Sequence, residues 1–347
     1  MVNPTWTKYV CTIGPASQSR EVMEGLILAG ANIMRSNFAH TQYDEYRERK
    51  AVVDDMNALY GLHVEMQADL QGPNIRVGSG IPEDGMDIEA GKEYTFYTNA
   101  CTDPQEGEIQ INDETLHMDV KAGEPITFMD GALEGTITAV DGARIKCILI
   151  NSGRLKPRKS VNVPDTDLSS PSITEKDRRD LEFLLEAGVD WIALSFIPSR
   201  KEVDEIRQMI GSRPVKIMTK VERKAAIKNI VELVDASDAI MIARGDLGIE
   251  MPMEELPILQ RDMIDLCRQA GKPVLTATQM LMSMTSALRP TRAEVSDVAN
   301  AVFAGSDGLM LSEETAAGID PVNALKTMVK IARRIEEYKA RPNYFNL

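Results

Sequence analysis

Eight short apolar segments recur along the chain: KYVCTIG, NIMRSNF, HVEMQADL, WIALSF, VKIMTKV, AIMIAR, PVLTAT and GLMLS. Each reads as a short strand buried on both faces, as in a covered parallel sheet. Between most of them lie stretches with helical spacing, such as SREVMEGLILAG, TEKDRRDLEFLLEAG, SRKEVDEIRQMIG and PILQRDMIDLCRQAG. Several of these end in glycine before the next strand, where a left-handed residue closes a helix. PVNALKTMVKIARRIEEY completes the series as a last amphipathic helix. Eight strands, each feeding a helix, predict an α/β chain folded as a closed TIM (β/α)8 barrel. An open doubly wound sheet is the alternative, but it usually has fewer strands and often a glycine-rich first turn. Neither a GxGxxG nor a Walker A pattern occurs.

One interval breaks the rhythm. From about Val77 to Lys159 the pattern changes to short alternating segments, KEYTFYT, EIQIN, EPITFMD, EGTITAV and RIKCILI, separated by turn signals at Asp84-Gly85, Asp130-Gly131 and Asp141-Gly142. This predicts a small all-β lid domain, residues 77–159, inserted after the third barrel strand. The barrel then comprises residues 1–76 and 160–347, which is about 265 residues and close to the usual barrel size. An insertion at that point sits on the C-terminal face of the barrel, where a lid is useful.

A formal charge of −14 argues against a general nucleic-acid binder or an anionic-membrane binder, both of which need a basic surface. Cys11, Cys101, Cys147 and Cys267 are far apart and form neither a CxxC pair nor a metal-type Cys/His group, so reduced thiols are expected. No cationic segment with a following apolar core opens the chain, and no apolar run reaches membrane-span length. These features predict a soluble, cytoplasmic protein. They also weaken an adhesion reading of Arg244-Gly245-Asp246.

In such a barrel, chemistry sits at the C-terminal ends of the strands. Those ends carry Arg35 and Asn37, Asp69, Ser195, Lys220 with Glu222, Arg244 with Asp246, Thr278, and Ser312 with Glu314. Any one of them is ordinarily a solvated loop start; their repetition on one face is the signal. Glu222 and Asp246 end neighbouring strands and could converge on one hard divalent cation, since two carboxylates with substrate oxygens and water commonly hold Mg2+. Pairing with Arg244 or Arg223 is the competing reading. Lys220 beside such a metal suggests a heavily charged anion, such as a transferring phosphoryl group. Arg35 and Arg76 add forked donors suited to phosphate. Gly245 lets the backbone approach a ligand closely, and free N–H groups of a short following helix would suit an oxyanion. Arg154, Lys156, Arg158 and Lys159 lie at the return from the insertion, either as a solvated hinge or as a nucleotide-phosphate contact.

With these residues in view, the sequence resembles the pyruvate kinase family over nearly its whole length, from TKYVCTIGPAS to DPVNALKTMVK. The most specific matches are KPVLTATQML, RPTRAEVSDVANAVFAGSDGLMLSEETAAG and ARGDLGIEMP, with GPNIRVG and MRSNFAH in support. The resemblance implies a barrel with a mobile β lid. It implies that Lys220 contacts the transferring phosphoryl group and that Glu222 and Asp246 hold catalytic Mg2+ or Mn2+. Residues Ala243, Arg244, Gly245 and Asp246 would receive the carboxylate of phosphoenolpyruvate or pyruvate on their backbone. Thr278 would lie near the protonation step. Arg35 and Arg76 would bind phosphates, with Asn37, His40, Pro15 and Lys159 near ADP or ATP. Asn37 and Asp69, with the carbonyl of residue 70, match a potassium site.

Several positions depart from the family pattern. Ala39 replaces a serine and removes a potassium ligand; Leu70, Gln71 and Asn74 replace threonine, lysine and glutamate; Arg223, Glu313 and Ser160 are further changes. Potassium dependence is therefore in doubt, with Arg223 or another cation as a candidate substitute. The chain stops soon after the eighth barrel helix, so the family's C-terminal effector domain and its allosteric control are expected to be absent, while a homodimer through barrel helices remains open. The expected function is phosphoryl transfer from phosphoenolpyruvate to ADP. The alternatives are metal-assisted enolate chemistry on another 2-oxo acid or phosphorylated acid, such as decarboxylation, or a catalytically silent binding protein.

Overall fold

Each of the eight apolar segments forms a strand in the computed structural model, which describes residues 6–340. The expected barrel limits at residues 1 and 347 lie outside the described residues. The strands are β1 (Lys8–Thr12), β2 (Ile33–Asn37), β3 (Glu65–Asp69), β4 (Trp191–Leu194), β5 (Lys216–Val221), β6 (Ala239–Ala243), β7 (Val274–Ala277) and β8 (Gly308–Leu311). Each pairs in parallel with the next, and β8 returns to β1 with Lys8 opposite Gly308. The barrel is closed, so the open-sheet alternative falls.

Side chains fill it from both sides. Val10, Ala193, Met218, Met241, Ala277 and Met310 belong to the inner core. A larger apolar layer, including Leu26, Met34, Leu184, Ile240 and Leu325, packs the helices onto the outside. This two-sided burial is why the strand segments are apolar throughout. Helix limits follow local chemistry. The Ser19 side chain accepts the Val22 N–H at the start of Arg20–Ala29, and Gly30 closes that helix at φ +118°.

The insertion folds on its own core, which runs from Ile75 to Val163 and stacks Phe96 on Phe128. Its main sheet has six strands in the order Val161–Asn162, Pro125–Phe128, Leu133–Asp141, Arg144–Leu149, Glu93–Thr98 and Ile109–Ile111. All neighbours are antiparallel except the last pair, so the sheet is mixed. Met86–Ile88 and Gly153–Leu155 form a separate pair. The two connections to the barrel run side by side, with Arg76 bridged to Ser160. The turn that carries Met129 and Asp130, both at φ +57°, overhangs the barrel mouth. All four cysteines are free thiols. Among the described residues no helix is long and apolar enough to cross a membrane.

Candidate active site

The strand ends open into a cleft of about 480 Å³ between the barrel mouth and the lid. From the barrel it is lined by Arg35, Asn37, Lys220, Glu222, Ala243, Gly245, Asp246 and Thr278, and from the lid side by Arg76, Asp130 and Asn162. Strand geometry accounts for this convergence. In parallel strands the residues just past the C-terminal ends share one rim, and β5 and β6 are direct neighbours, with Lys220 opposite Met241.

Four charged groups interlock at the floor. Lys220 Nζ lies 2.7 Å from Glu222 Oε1 and 3.5 Å from Asp69 Oδ2, and donates to Ser195 Oγ at 2.9 Å. Ser195 in turn donates to the Leu70 carbonyl at 2.8 Å. Arg35 Nη2 pairs with Asp69 Oδ2 at 2.8 Å, and Gln67 Nε2 donates to Asp69 Oδ1 at 2.7 Å. Burial alone would raise the Asp69 carboxyl, but Arg35 and Lys220 outweigh it and hold it at about 2. Burial likewise works against the charge on Lys220, and Glu222 and Asp69 reverse that, keeping the ammonium protonated above its ordinary value.

Glu222 and Asp246 behave differently. Burial pushes both carboxyls above their ordinary values, Lys220 opposes the shift in both, Asp246 adds to it at Glu222, and Asp130 adds to it at Asp246. Lys220 approaches Glu222 Oε1 as an ion-pair partner but off the direction of a hydrogen bond, so that buried oxygen keeps unused lone pairs. Two adjacent carboxylates with negative charge in excess and open lone pairs fit a hard divalent cation. Their feared pairing partners are elsewhere. Arg244 binds Asp297, while Arg223 donates to the Thr166 carbonyl at 3.2 Å and lies 3.9 Å from Glu250. Among the described residues no set of three or more His, Cys, Asp or Glu side chains gathers around a metal position, so the remaining ligands would come from substrate and water.

Each potassium ligand implied by resemblance already has a partner within the protein. Asp69 is engaged by Arg35, Lys220 and Gln67. Asn37 Oδ1 accepts the Ala39 N–H at 3.1 Å, the Leu70 carbonyl is taken by Ser195, and Ala39 offers no hydroxyl. The cations beside Asp69 are Arg35 and Lys220, whereas Arg223 reaches Thr166 and Glu250.

At the β6 end, Arg244–Glu250 forms a short helix, as the glycine-bearing turn implied. The Gly245 N–H is not free, however: it donates to Thr278 Oγ1 at 2.7 Å. A Cβ on Gly245 would meet Thr278 Cγ2 at 3.5 Å, an ordinary van der Waals contact, so Thr278 is the nearest neighbour without itself demanding a glycine here. The Arg244 side chain leaves the cleft and does not line it. His40 and Arg76 line the cleft, and Arg76 Nη1 also donates to the Arg158 carbonyl at 2.6 Å. Pro15 and Lys159, expected near nucleotide, are exposed and outside the lining. Glu314 is fully buried, accepting the Leu281 and Ser312 N–H groups, while its neighbour Glu313 faces the cleft.

Phe196 and Asp130 are among the contributors that the sequence reading missed. Phe196, at φ +58°, donates its N–H to Glu222 Oε2 at 2.7 Å. A backbone donor leaves no side-chain signature. Asp130 enters from the lid, and its only sequence signal was the Asp-Gly turn.

Comparison with known proteins gives a consistent result. Residues 5–325 match the family model described as pyruvate kinase, barrel domain. The chain is 42% identical over 345 residues to pyruvate kinase 2 of Synechocystis sp., covering 98% of this chain and 58% of that protein. It is also 42% identical over 331 residues to the pyruvate kinase of Staphylococcus aureus, covering 94% and 56%. A crystal structure of a pyruvate kinase from Cryptosporidium parvum superposes with a TM-score of 0.90 at 35% identity, covering 96% of this chain and 70% of that one. The chain thus spans somewhat more than half the length of the two curated relatives.

Proposed function

The chain belongs to the pyruvate kinase family, and from that premise we propose that it moves the phosphoryl group of phosphoenolpyruvate to ADP, giving pyruvate and ATP. One observation carries the reading: Lys220, Glu222, Asp246 and Thr278 come together in one cleft beneath a lid, with Arg35 beside them. The family generally uses a divalent metal. Glu222 and Asp246 would hold Mg2+ or Mn2+, which supplies positive charge for phosphate and carboxylate oxygens.

The chain's own residues then divide the work. Lys220, held protonated by its acidic neighbours, neutralises the phosphoryl group as charge spreads over its oxygens. Arg35, fixed by Asp69 and by the Thr12 hydroxyl at 2.8 Å, offers a preset fork for phosphate. Ser195 and Phe196 orient Lys220 and Glu222 from the β4 end. The backbone at Ala243 to Asp246 faces the substrate carboxylate, and accepting it requires the Thr278 hydroxyl to yield the Gly245 N–H. Thr278 stands where the enol carbon takes its proton. Arg76, Asn37 and His40 line the side toward the nucleotide, and the lid excludes water as it closes.

A coupled assay of pyruvate release with Mg2+ tests this, run with and without ADP and with and without potassium. Release that requires both phosphoenolpyruvate and ADP is expected, and the potassium arm should change the rate little because Ala39 offers no hydroxyl and Asp69 is already paired with Arg35 and Lys220. No ADP-dependent pyruvate under any of these conditions refutes the reading. Turnover of 2-oxo acids without nucleotide would replace it with metal-assisted enolate chemistry.

A further inference from the structure

Thr278 and Gln279 follow the end of β7 with φ of +69° and +52°. For a β-branched residue such as threonine the left-handed region is a real outlier, and it persists only where the surroundings over-determine it. Here one side chain holds the backbone on both sides of it. Arg244 Nε donates to the Ala277 carbonyl at 3.2 Å, and Nη2 donates to the Thr278 carbonyl at 2.7 Å. A single guanidinium therefore spans the carbonyls on both sides of the strained residue. The guanidinium is locked in turn by Asp297, with Nη1 and Nη2 each 2.7 Å from a carboxylate oxygen, and by Gln260 at 3.3 Å. On the cleft side, Thr278 Oγ1 accepts the Gly245 N–H and donates to the Ala277 carbonyl at 2.6 Å. Two consecutive residues of one turn thus grip the same threonine, Arg244 by its backbone and Gly245 by its hydroxyl.

We infer that Arg244 is a positioning residue that holds Thr278 left-handed and so presents its hydroxyl to the cleft beside Asp246. The inference rests on the functional reading above for what that hydroxyl serves. The Arg244 side chain itself does not line the cleft. Without the fork, Thr278 relaxes toward extended backbone and its hydroxyl leaves Gly245. A lysine cannot replace it, because one ammonium can pair with Asp297 but lacks the rigid geometry that also spans two carbonyls.

The test compares wild type with Arg244→Lys and Asp297→Asn by two readouts. Threonine-selective 13C labelling reports the Thr278 backbone through its Cα and Cβ shifts, and steady-state kinetics with phosphoenolpyruvate, ADP and Mg2+ report catalysis. In Arg244→Lys the shifts should move to values for extended backbone and kcat should fall by about 100-fold. KM for both substrates should stay within about threefold, the pattern of an interaction realised in the transition state. Asp297→Asn should give a smaller change of the same kind, and it decides the matter if the lysine variant does not fold. A folded variant with lowered thermal stability but unchanged shifts and kcat would overturn the inference, since Arg244 would then be only structural. Raised KM at unchanged kcat would overturn it too, because the side chain would then bind substrate. If wild type makes no ADP-dependent pyruvate, the functional reading fails, and the shift comparison still decides whether Arg244 holds Thr278.

Discussion

Lys220 sits where one ammonium serves three oxygens, those of Ser195, Glu222 and Asp69, at the bottom of the cleft. Lys220→Met should leave a folded protein by circular dichroism but lower kcat by about 10²–10³-fold, the usual loss when one preset electrostatic contact to the transition state is removed. Asp246→Asn should weaken Mn2+ binding, read by electron paramagnetic resonance of the metal alone, by at least about 10-fold. Unchanged Mn2+ affinity would remove Asp246 from the metal site. These residues were legible because charged and polar groups recur at successive strand ends on one face of the barrel. Arg244 was only half legible. Its place at a strand end is visible, but its direction is set by Asp297, 53 residues later and on another helix. The left-handed backbone of Thr278 was not legible at all, since threonine gives no hint of it and a tertiary contact imposes it.

At the scale of the element, the barrel is fastened at its base as well as equipped at its mouth. The first residues of β4 and β5 both meet Glu65, the first residue of β3. Trp191 Nε1 and Lys216 Nζ each donate to its carboxylate at 2.8 Å, and the ammonium lies 4.7 Å from the centre of the indole ring. Burial would raise the Glu65 carboxyl, yet the Lys216 and Trp191 hydrogen bonds outweigh it and hold it below its ordinary value of 4.5. A carboxyl lowered on folding stabilises the fold fully above its unfolded value and loses that contribution as pH falls through the folded one. Glu65→Gln should therefore cost about 1 kcal/mol at neutral pH, with the deficit shrinking below about pH 4.5, as measured by urea unfolding. Equal deficits at pH 7 and pH 3 would contradict this. Thr291 and Glu294 form a reciprocal cap at the start of the helix Arg292–Ala304, which carries Asp297. Thr291→Ala should destabilise the protein by about 1 kcal/mol by the same measurement. Strands and most helix ends were readable from burial, caps and terminal glycines. The Glu65 contacts were not, because they join three strands that are distant in sequence.

The whole molecule is a barrel and a lid with separate cores, and the sequence marked that division by a change of pattern, from continuous apolar strands with helices between them to alternating strands separated by turns. Which way the lid faces was not written in that pattern; Asp130 reaches the cleft only because two neighbouring connections fix the lid above the barrel mouth. The family's length beyond the matched region makes the activity of this span the central question, since the chain covers 58% and 56% of the two curated relatives compared. The direct measurement is 31P nuclear magnetic resonance of phosphoenolpyruvate, ADP and Mg2+ with the purified chain. The phosphoenolpyruvate signal should decay as the γ-phosphate of ATP grows in equal amount, with the same quantity of pyruvate formed. A spectrum that does not change, or phosphoenolpyruvate lost to inorganic phosphate without ATP, would contradict the assignment.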